Sequence, residues 1–174
     1  TTVDGMSWHP FGRIGFKMNA TSWLVLQANG SRYVRQPHFW ELFGNRGNMQ
    51  GNPLLKPEDG WNVDAGGALK FKPSSRWWKL LHFRAAFFWN ETSDLIRFIQ
   101  NSQRTILAVN IDRARTLGTE MALRTVFFKR FQLHLQWTWL YARNVSASSY
   151  ENGKILPGRP AHELSLQLNF ALRW

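Results

Sequence analysis

The 174-residue sequence contains no cysteine. That excludes a disulfide framework, a thiolate metal site and a Cys nucleophile. It contains no run of about 18 apolar residues, and therefore no transmembrane helix. Its longest apolar patches, 84–89 (RAAFFW) and 125–128 (TVFF), are far too short. Acidic groups are scarce: 11 Asp and Glu stand against 22 Lys and Arg, a formal net charge of +11. Nucleic acid, an anionic membrane surface and an anionic ligand are the partner classes such a charge suits. The first residues, TTVDGMSWHP, offer neither a basic n-region nor an apolar h-region, so no signal peptide is read there. Tyrosine is also scarce, at 3, beside 10 Trp and 13 Phe. Ten Trp are hard to bury in a soluble domain of this length.

What is present is alternation. In one segment Trp61, Val63, Ala65, Gly67, Leu69 and Phe71 oppose Asn62, Asp64, Gly66, Ala68 and Lys70. A side-chain period of two with one apolar face predicts a strand between two different environments. After a short turn at 72–76, Leu81, Phe83, Ala85, Phe87 and Trp89 share a face. Leu117, Thr119, Met121 and Leu123 repeat the pattern. So do Phe131, Leu133, Leu135, Trp137, Trp139 and Tyr141, and then Leu164, Leu166, Leu168, Phe170 and Leu172. Ile14, Phe16 and Met18 form a shorter face, and 23–29 a strand with a weaker split. A helical period would scatter these apolar sets all round.

The predicted strands run about 10 to 14 residues, where soluble sheets favour about 5 or 6 and a membrane-spanning strand needs about 9 to 11. Short turns near 19–22, 72–76 and 128–130 alternate with long stretches at 30–58, 91–104 and 144–160. Short turns at one end and long loops at the other are the outer-membrane barrel arrangement. Trp23, Trp77, Trp78, Trp89, Trp139, Tyr141 and Trp174 near strand ends suit its aromatic girdles. The expected fold class is all-β: an antiparallel meander of about seven long strands, part of a larger transmembrane barrel. A soluble sandwich explains the alternation but not the strand lengths, the loop asymmetry or the aromatic strand ends.

Three segments carry a family resemblance. YVRQPHFWELFGNRGNMQGNPLLKPE, at 33–58, resembles the long extracellular loop of TonB-dependent outer-membrane receptors, with an R-x-P-x-(aromatic)-x-E-L-(aromatic)-G stretch and a later G-N-P-x-L-x-P-E stretch. FFWNETSDLIRFIQ followed by VNIDRARTLGTEMAL is similar to a strand exit and return of that family. PGRPAHELSLQLNF, at 157–170, resembles a loop-to-strand entry. The resemblance covers roughly 10–172. It implies a barrel of about 22 strands with a plugged lumen. On it, 1–174 is a partial barrel domain, with the plug domain and the remaining strands outside it. Seven strands leave two open edges, which cannot face lipid.

The resemblance implies a bacterial outer-membrane receptor taking up a scarce large nutrient such as a siderophore, cobalamin or haem. The partners implied are an extracellular ligand, an anionic metal chelate among them, and the inner-membrane TonB complex, reached through the plug. Outer-membrane lipid and lipopolysaccharide complete the set; basic loop residues such as Arg97, Arg113, Arg115 and Arg159 would meet lipopolysaccharide phosphates. Loop residues Arg35, His38, Phe39, Trp40 and Arg46 are the candidate ligand-binding set: Arg for anionic groups, aromatics for a flat ligand. Loop architecture is the competing reading, with Arg35 paired to Glu41. Lys70, Arg84, Glu120 and Arg124 have lumen parity and could form a charged wall.

Catalytic signals are poor, no enzyme activity is expected, and no cofactor or metal site is read. His162 and Glu163 are followed by Leu166 where a zinc-protease helix needs His. His82 and His134 lie on separate strands, where lone histidines more often satisfy hydrogen bonds than bind metal. The alternative is a soluble basic β-domain that binds single-stranded nucleic acid through aromatic platforms. It requires aromatic and basic side chains on one face, whereas Phe83, Phe87 and Trp89 have the opposite parity to Lys70, Arg84 and Arg124.

Overall fold

The computed structural model describes residues 10–45, 47–100, 104–128, 130–146 and 152–171. Seven long strands form one antiparallel meander: β1 (Gly12–Asn19), β2 (Leu24–Arg35), β4 (Glu58–Phe71), β5 (Trp78–Gln100), β6 (Ile106–Phe127), β7 (Phe131–Asn144) and β8 (His162–Phe170). Between β2 and β4 lie a five-residue helix α1 (Phe39–Phe43) and a two-residue strand β3 (Met49–Gln50). β3 leaves the meander and pairs in parallel with the start of β6, Met49 opposite Ile106. β1 and β8 are the two edges of the sheet, so the sheet is open.

The register converts the alternation into two continuous faces. Leu24, Leu69, Phe83, Leu123, Leu135 and Leu166 lie side by side across six strands. One residue away, Val25, Ala68, Arg84, Ala122, Gln136 and Ser165 form the neighbouring row on the other face. A slip of one residue anywhere would exchange the two sets. Apolar side chains of the first face remain exposed: Phe16, Val63, Phe87, Leu164 and Leu168 among them. The buried apolar residues among those described are only Leu55, Ile96, Ala108, Ala114, Ala142 and Leu156. A soluble sandwich would close its apolar faces on each other. Here they face outward, as a barrel in lipid requires.

Aromatic side chains border the apolar band. At the end with short turns, Trp77 meets Phe128 edge-on at 4.9 Å, Trp78 lies near Phe127 at 5.8 Å, and Phe131 packs on Phe170 at 4.6 Å. Trp78 also donates its indole N–H to the buried Thr125 hydroxyl, which donates onward to the Leu80 carbonyl. At the other end Trp61, Trp89 and Tyr141 point outward on neighbouring rows. Trp78 and Trp89 stand eleven residues apart on β5, about 37 Å of strand, and a tilt of about 40° makes this roughly 28 Å of height.

The strand count matches the expectation, but several boundaries do not. The segment 91–104, read as a long loop, is strand through Gln100, and β6 begins at Ile106 rather than near Leu117. The hairpin of 23 and 22 residues therefore projects far beyond the aromatic border. The stretch 30–58 is likewise shorter as a loop, since β2 continues to Arg35 and β4 starts at Glu58. Beyond the apolar band neither face has to be apolar, so alternation fades while backbone pairing continues.

Candidate functional site

The connection at 36–57 is held as a built structure. At its root Arg35 reaches Glu58 at 2.7 Å and Glu41 at 3.2 Å, and both carboxylates are buried. Hydrogen bonding to Glu58, then to Glu41, raises the pKa of Arg35 above its ordinary value and keeps it charged. Glu58 also accepts the backbone N–H of Ile96 at 2.9 Å. Glu41, in the first turn of α1, accepts the His38 backbone N–H at 2.6 Å, satisfying a donor that the helix start leaves orphaned.

The far part of the connection is tied to the projecting hairpin. Asn52 donates its amide to the Ala108 carbonyl at 2.9 Å, and Lys56 N–H bonds the Asn110 side chain at 2.9 Å. Leu55 packs with Ile96 and Ala108, and Leu42 covers them. Gly51 lies so close to the backbone of Leu42, Phe43 and Gly44 that a Cβ would stand 2.5 Å from the Gly44 nitrogen. Glycine is required there by the close approach.

What this framework presents is aromatic. The rings of His38 and Trp40 stack at 5.9 Å with 5° between planes, and Trp40 stacks on Phe98 of β5 at 5.3 Å. Phe39 is 76% exposed and packs on Phe43 at 4.7 Å. The structure thus brings His38 and Trp40 together, while Phe39 pairs instead with Phe43. It gives Arg35 two glutamates, which is the architectural arrangement. Arg46, the remaining candidate, lies outside the described residues. Phe98 was missed from sequence because it sits in a stretch read as loop; the aromatic in DLIRFIQ was the available signal.

The polar face carries the second set. Lys70, His82, Arg124 and His134 are register neighbours on four consecutive strands. Arg84 lies one row above them and Glu120 one row higher again. A cavity of about 350 Å³ opens on this face, with Gln27, Ala68, Arg84, Ala86, Glu120 and Gln136 in its lining. Small residues in the rows leave that space. The His134 Nε2 is buried without a hydrogen-bond partner. Among the described residues no three His, Asp or Glu converge on a common point that could hold a metal ion.

Comparison with known proteins places this geometry. The family profile described as "TonB dependent receptor-like, beta-barrel" matches residues 1–174. No curated protein sequence matches the chain. Among solved structures, the copper transporter OprC superposes with a TM-score of 0.73 at 20% identity, over 94% of this chain and 24% of that one. The siderophore receptor PirA from Acinetobacter baumannii gives 0.67 at 14% identity, over 94% and 26%. The hemophore receptor HasR from Serratia marcescens, solved with its hemophore HasA and heme, gives 0.60 at 20% identity, over 77% and 22%. The chain spans about a quarter of the length of these structures.

Proposed function

The chain belongs to the TonB-dependent receptor-like β-barrel family, and from that premise we propose that it supplies part of the wall and an extracellular loop of a bacterial outer-membrane receptor. The receptor takes up a scarce large nutrient outside and passes it inward by energy-coupled transport. Its chemistry is binding and release rather than bond making. The observation that carries this reading is the segregation of faces: apolar and aromatic side chains outward across seven strands, charged and small ones inward. A barrel wall in lipid needs that division, and a solute path needs a polar interior.

Within this reading His38, Phe39 and Trp40 form the ligand-facing surface. A stacked imidazole–indole pair offers a flat face to a planar or ring-rich chelate. Arg35 positions that surface through Glu41. Lys70, Arg84 and Arg124 line the inner wall and favour an anionic metal chelate. A plug domain would occupy the lumen and connect to the inner-membrane TonB complex. Lipid and lipopolysaccharide would cover the outward face.

The test is uptake by the intact receptor in cells depleted of their own transporters, against a panel of copper, ferric siderophores, haem and cobalamin. One class of solute should depend on the receptor and on the proton gradient. Receptor-dependent uptake that persists without the gradient would overturn the energy-coupled reading. A protein recovered monodisperse without detergent would overturn the membrane reading itself.

A further inference from the structure

On the polar face, two adjacent rows near the short-turn end gather positive charge. The lower row reads Lys70, His82, Arg124, His134 and Gln167 on five consecutive strands. The row above it reads Ala68, Arg84, Ala122, Gln136 and Ser165. Direct partners stand about 5 Å apart and diagonal ones about 7–8 Å. His82 therefore has Lys70 and Arg124 as direct neighbours, and Arg84 lies on the diagonal from Arg124. Neither row holds a carboxylate. The nearest on this face, Glu120 and Glu163, stand in the row above Arg84, on either side of Thr138, and Asp64 stands a row higher. Among the described residues, none of Lys70, Arg84 and Arg124 forms an ion pair.

The cluster lines a cavity of its own, about 240 Å³ in volume, with His82, Arg84, Arg124, His134 and Gln136 in its walls. It adjoins the 350 Å³ cavity described above: Arg84, Ala122 and Gln136 line both. Ala122 is the register partner of Arg84 on β6, and its short side chain leaves the junction open. His134 adds a further demand. Its Nε2 is buried without a hydrogen-bond partner, a costly state for a polar atom. Guanidinium and ammonium groups offer donors and no acceptor. What the cavity lacks is an acceptor that carries negative charge.

We propose that Lys70, His82, Arg84, Arg124 and His134 form an oxyanion station on the inner wall, which holds a carboxylate or phosphate group of the solute on its way inward. This inference rests on the proposed receptor reading and deepens it, adding a second station to the aromatic loop. His82 lies four residues from Trp78 on β5, about 13 Å of strand and roughly 10 Å of height from the short-turn border. Phe98, where the loop stack ends, lies sixteen residues further along the same strand, about 54 Å away. One anionic group cannot touch both places, so the station acts after release from the loop. Short turns mark the periplasmic side in this class of barrel. The two adjoining cavities set the direction. The upper one mixes Arg84 with Glu120, while the lower one holds cations and no carboxylate, so an anion is better stabilised deeper in. Guanidinium forks suit carboxylate and phosphate oxygens alike.

The test is equilibrium dialysis of the intact receptor, in a neutral detergent, against radiolabelled inorganic phosphate and, separately, radiolabelled citrate. Both should bind saturably and displace each other. Arg84→Gln/Arg124→Gln should weaken both about tenfold or more, as the loss of charge-assisted hydrogen bonds requires. Arg124→Lys keeps the charge and should stay within about threefold of the parent. His134→Phe fills the same space without the ring nitrogens and should weaken both about threefold or more. Arg13→Gln removes a cation from the same face of β1, outside both rows, and should leave both affinities unchanged. If the Gln pair fails to fold, Lys70→Gln and His134→Phe carry the test. Absence of saturable binding in the parent, the result of a plug carboxylate already seated in the cavity, overturns the station. So do unchanged affinity in the Gln pair and an equal loss in Arg13→Gln. Gradient-dependent uptake by a receptor that binds neither anion refutes the station alone. The expected order of variants in a receptor whose uptake ignores the gradient upholds the station and refutes the energy-coupled reading.

Discussion

Arg35 and Glu58 are paired twice, once as register partners of β2 and β4 and once side chain to side chain at 2.7 Å. The second pairing draws in Glu41, so one guanidinium neutralises two buried carboxylates. Arg35→Ala would leave both without a cation. The connection at 36–57 should open more easily by about 2–3 kcal/mol. Hydrogen exchange of the Ile96 and His38 amides, which bond those carboxylates, would read this directly. Equal protection in variant and parent would refute it. The strands within the apolar band should keep their protection.

His38→Ala and Trp40→Ala remove the two members of the exposed stack. Each should weaken ligand binding by the intact receptor roughly tenfold or more, since base- or ring-stacking on an aromatic is worth about 1–3 kcal/mol. Thermal stability should barely move, because His38 and Trp40 border the loop rather than its apolar contact of Leu55, Ile96 and Ala108. Titration calorimetry alongside a melting curve separates the two effects. Affinity at the parental level in both variants would remove the stack from the site.

Leu123 and Thr138 sit on opposite faces of neighbouring strands, and arginine should tell them apart. Leu123→Arg puts a charge on the lipid side and should cost about 2–4 kcal/mol near the bilayer midplane. Thr138→Arg lands opposite Glu120 on the polar face and should cost well under half as much. Refolding yield into vesicles checks the order of the pair. Reversal of that order would mean the faces are assigned backwards.

Gly118→Ala addresses packing on the inner wall. A Cβ there would press on the Trp139 carbonyl and stand 2.6 Å from the Phe88 ring. Backbone cannot yield as a flexible side chain can, so a loss of about 1–3 kcal/mol is expected. The midpoint of denaturant unfolding in micelles measures it; an unshifted midpoint counts against the close approach.

Alternation made the lipid-spanning part of the fold legible. Where one face meets lipid and the other a polar interior, as from Leu133 to Trp139, chemistry must alternate and the strand announces itself. Glu91 to Gln100 broke that rule because Asn90, Glu91, Thr92, Ser93 and Asp94 sit above the band, where no face is obliged to be apolar. Pairing persists there through the backbone ladder, to which side-chain period is blind, with isolated side-chain contacts such as Glu91–Arg115 and Leu55–Ile96 beside it. The short β3 was invisible for the same reason: Met49 and Gln50 join β6 through backbone groups. The loop root was partly legible, since Arg35 with Glu41 was one of two readings, while Glu58 as the second partner required the register of β2 against β4. The stack of His38 on Trp40 follows from sequence proximity, but its continuation onto Phe98 depends on a hairpin whose length the sequence concealed.

That hairpin has a mechanical side. From Trp89 to Gln100 it continues for about 37 Å of paired strand above the girdle, and the connection at 36–57 is strapped to it by Asn52, Lys56 and β3. A paired ribbon is stiff where a free loop would collapse. The ribbon and the connection strapped to it thus form one continuous scaffold, which holds the stacked rings of His38, Trp40 and Phe98 above the girdle.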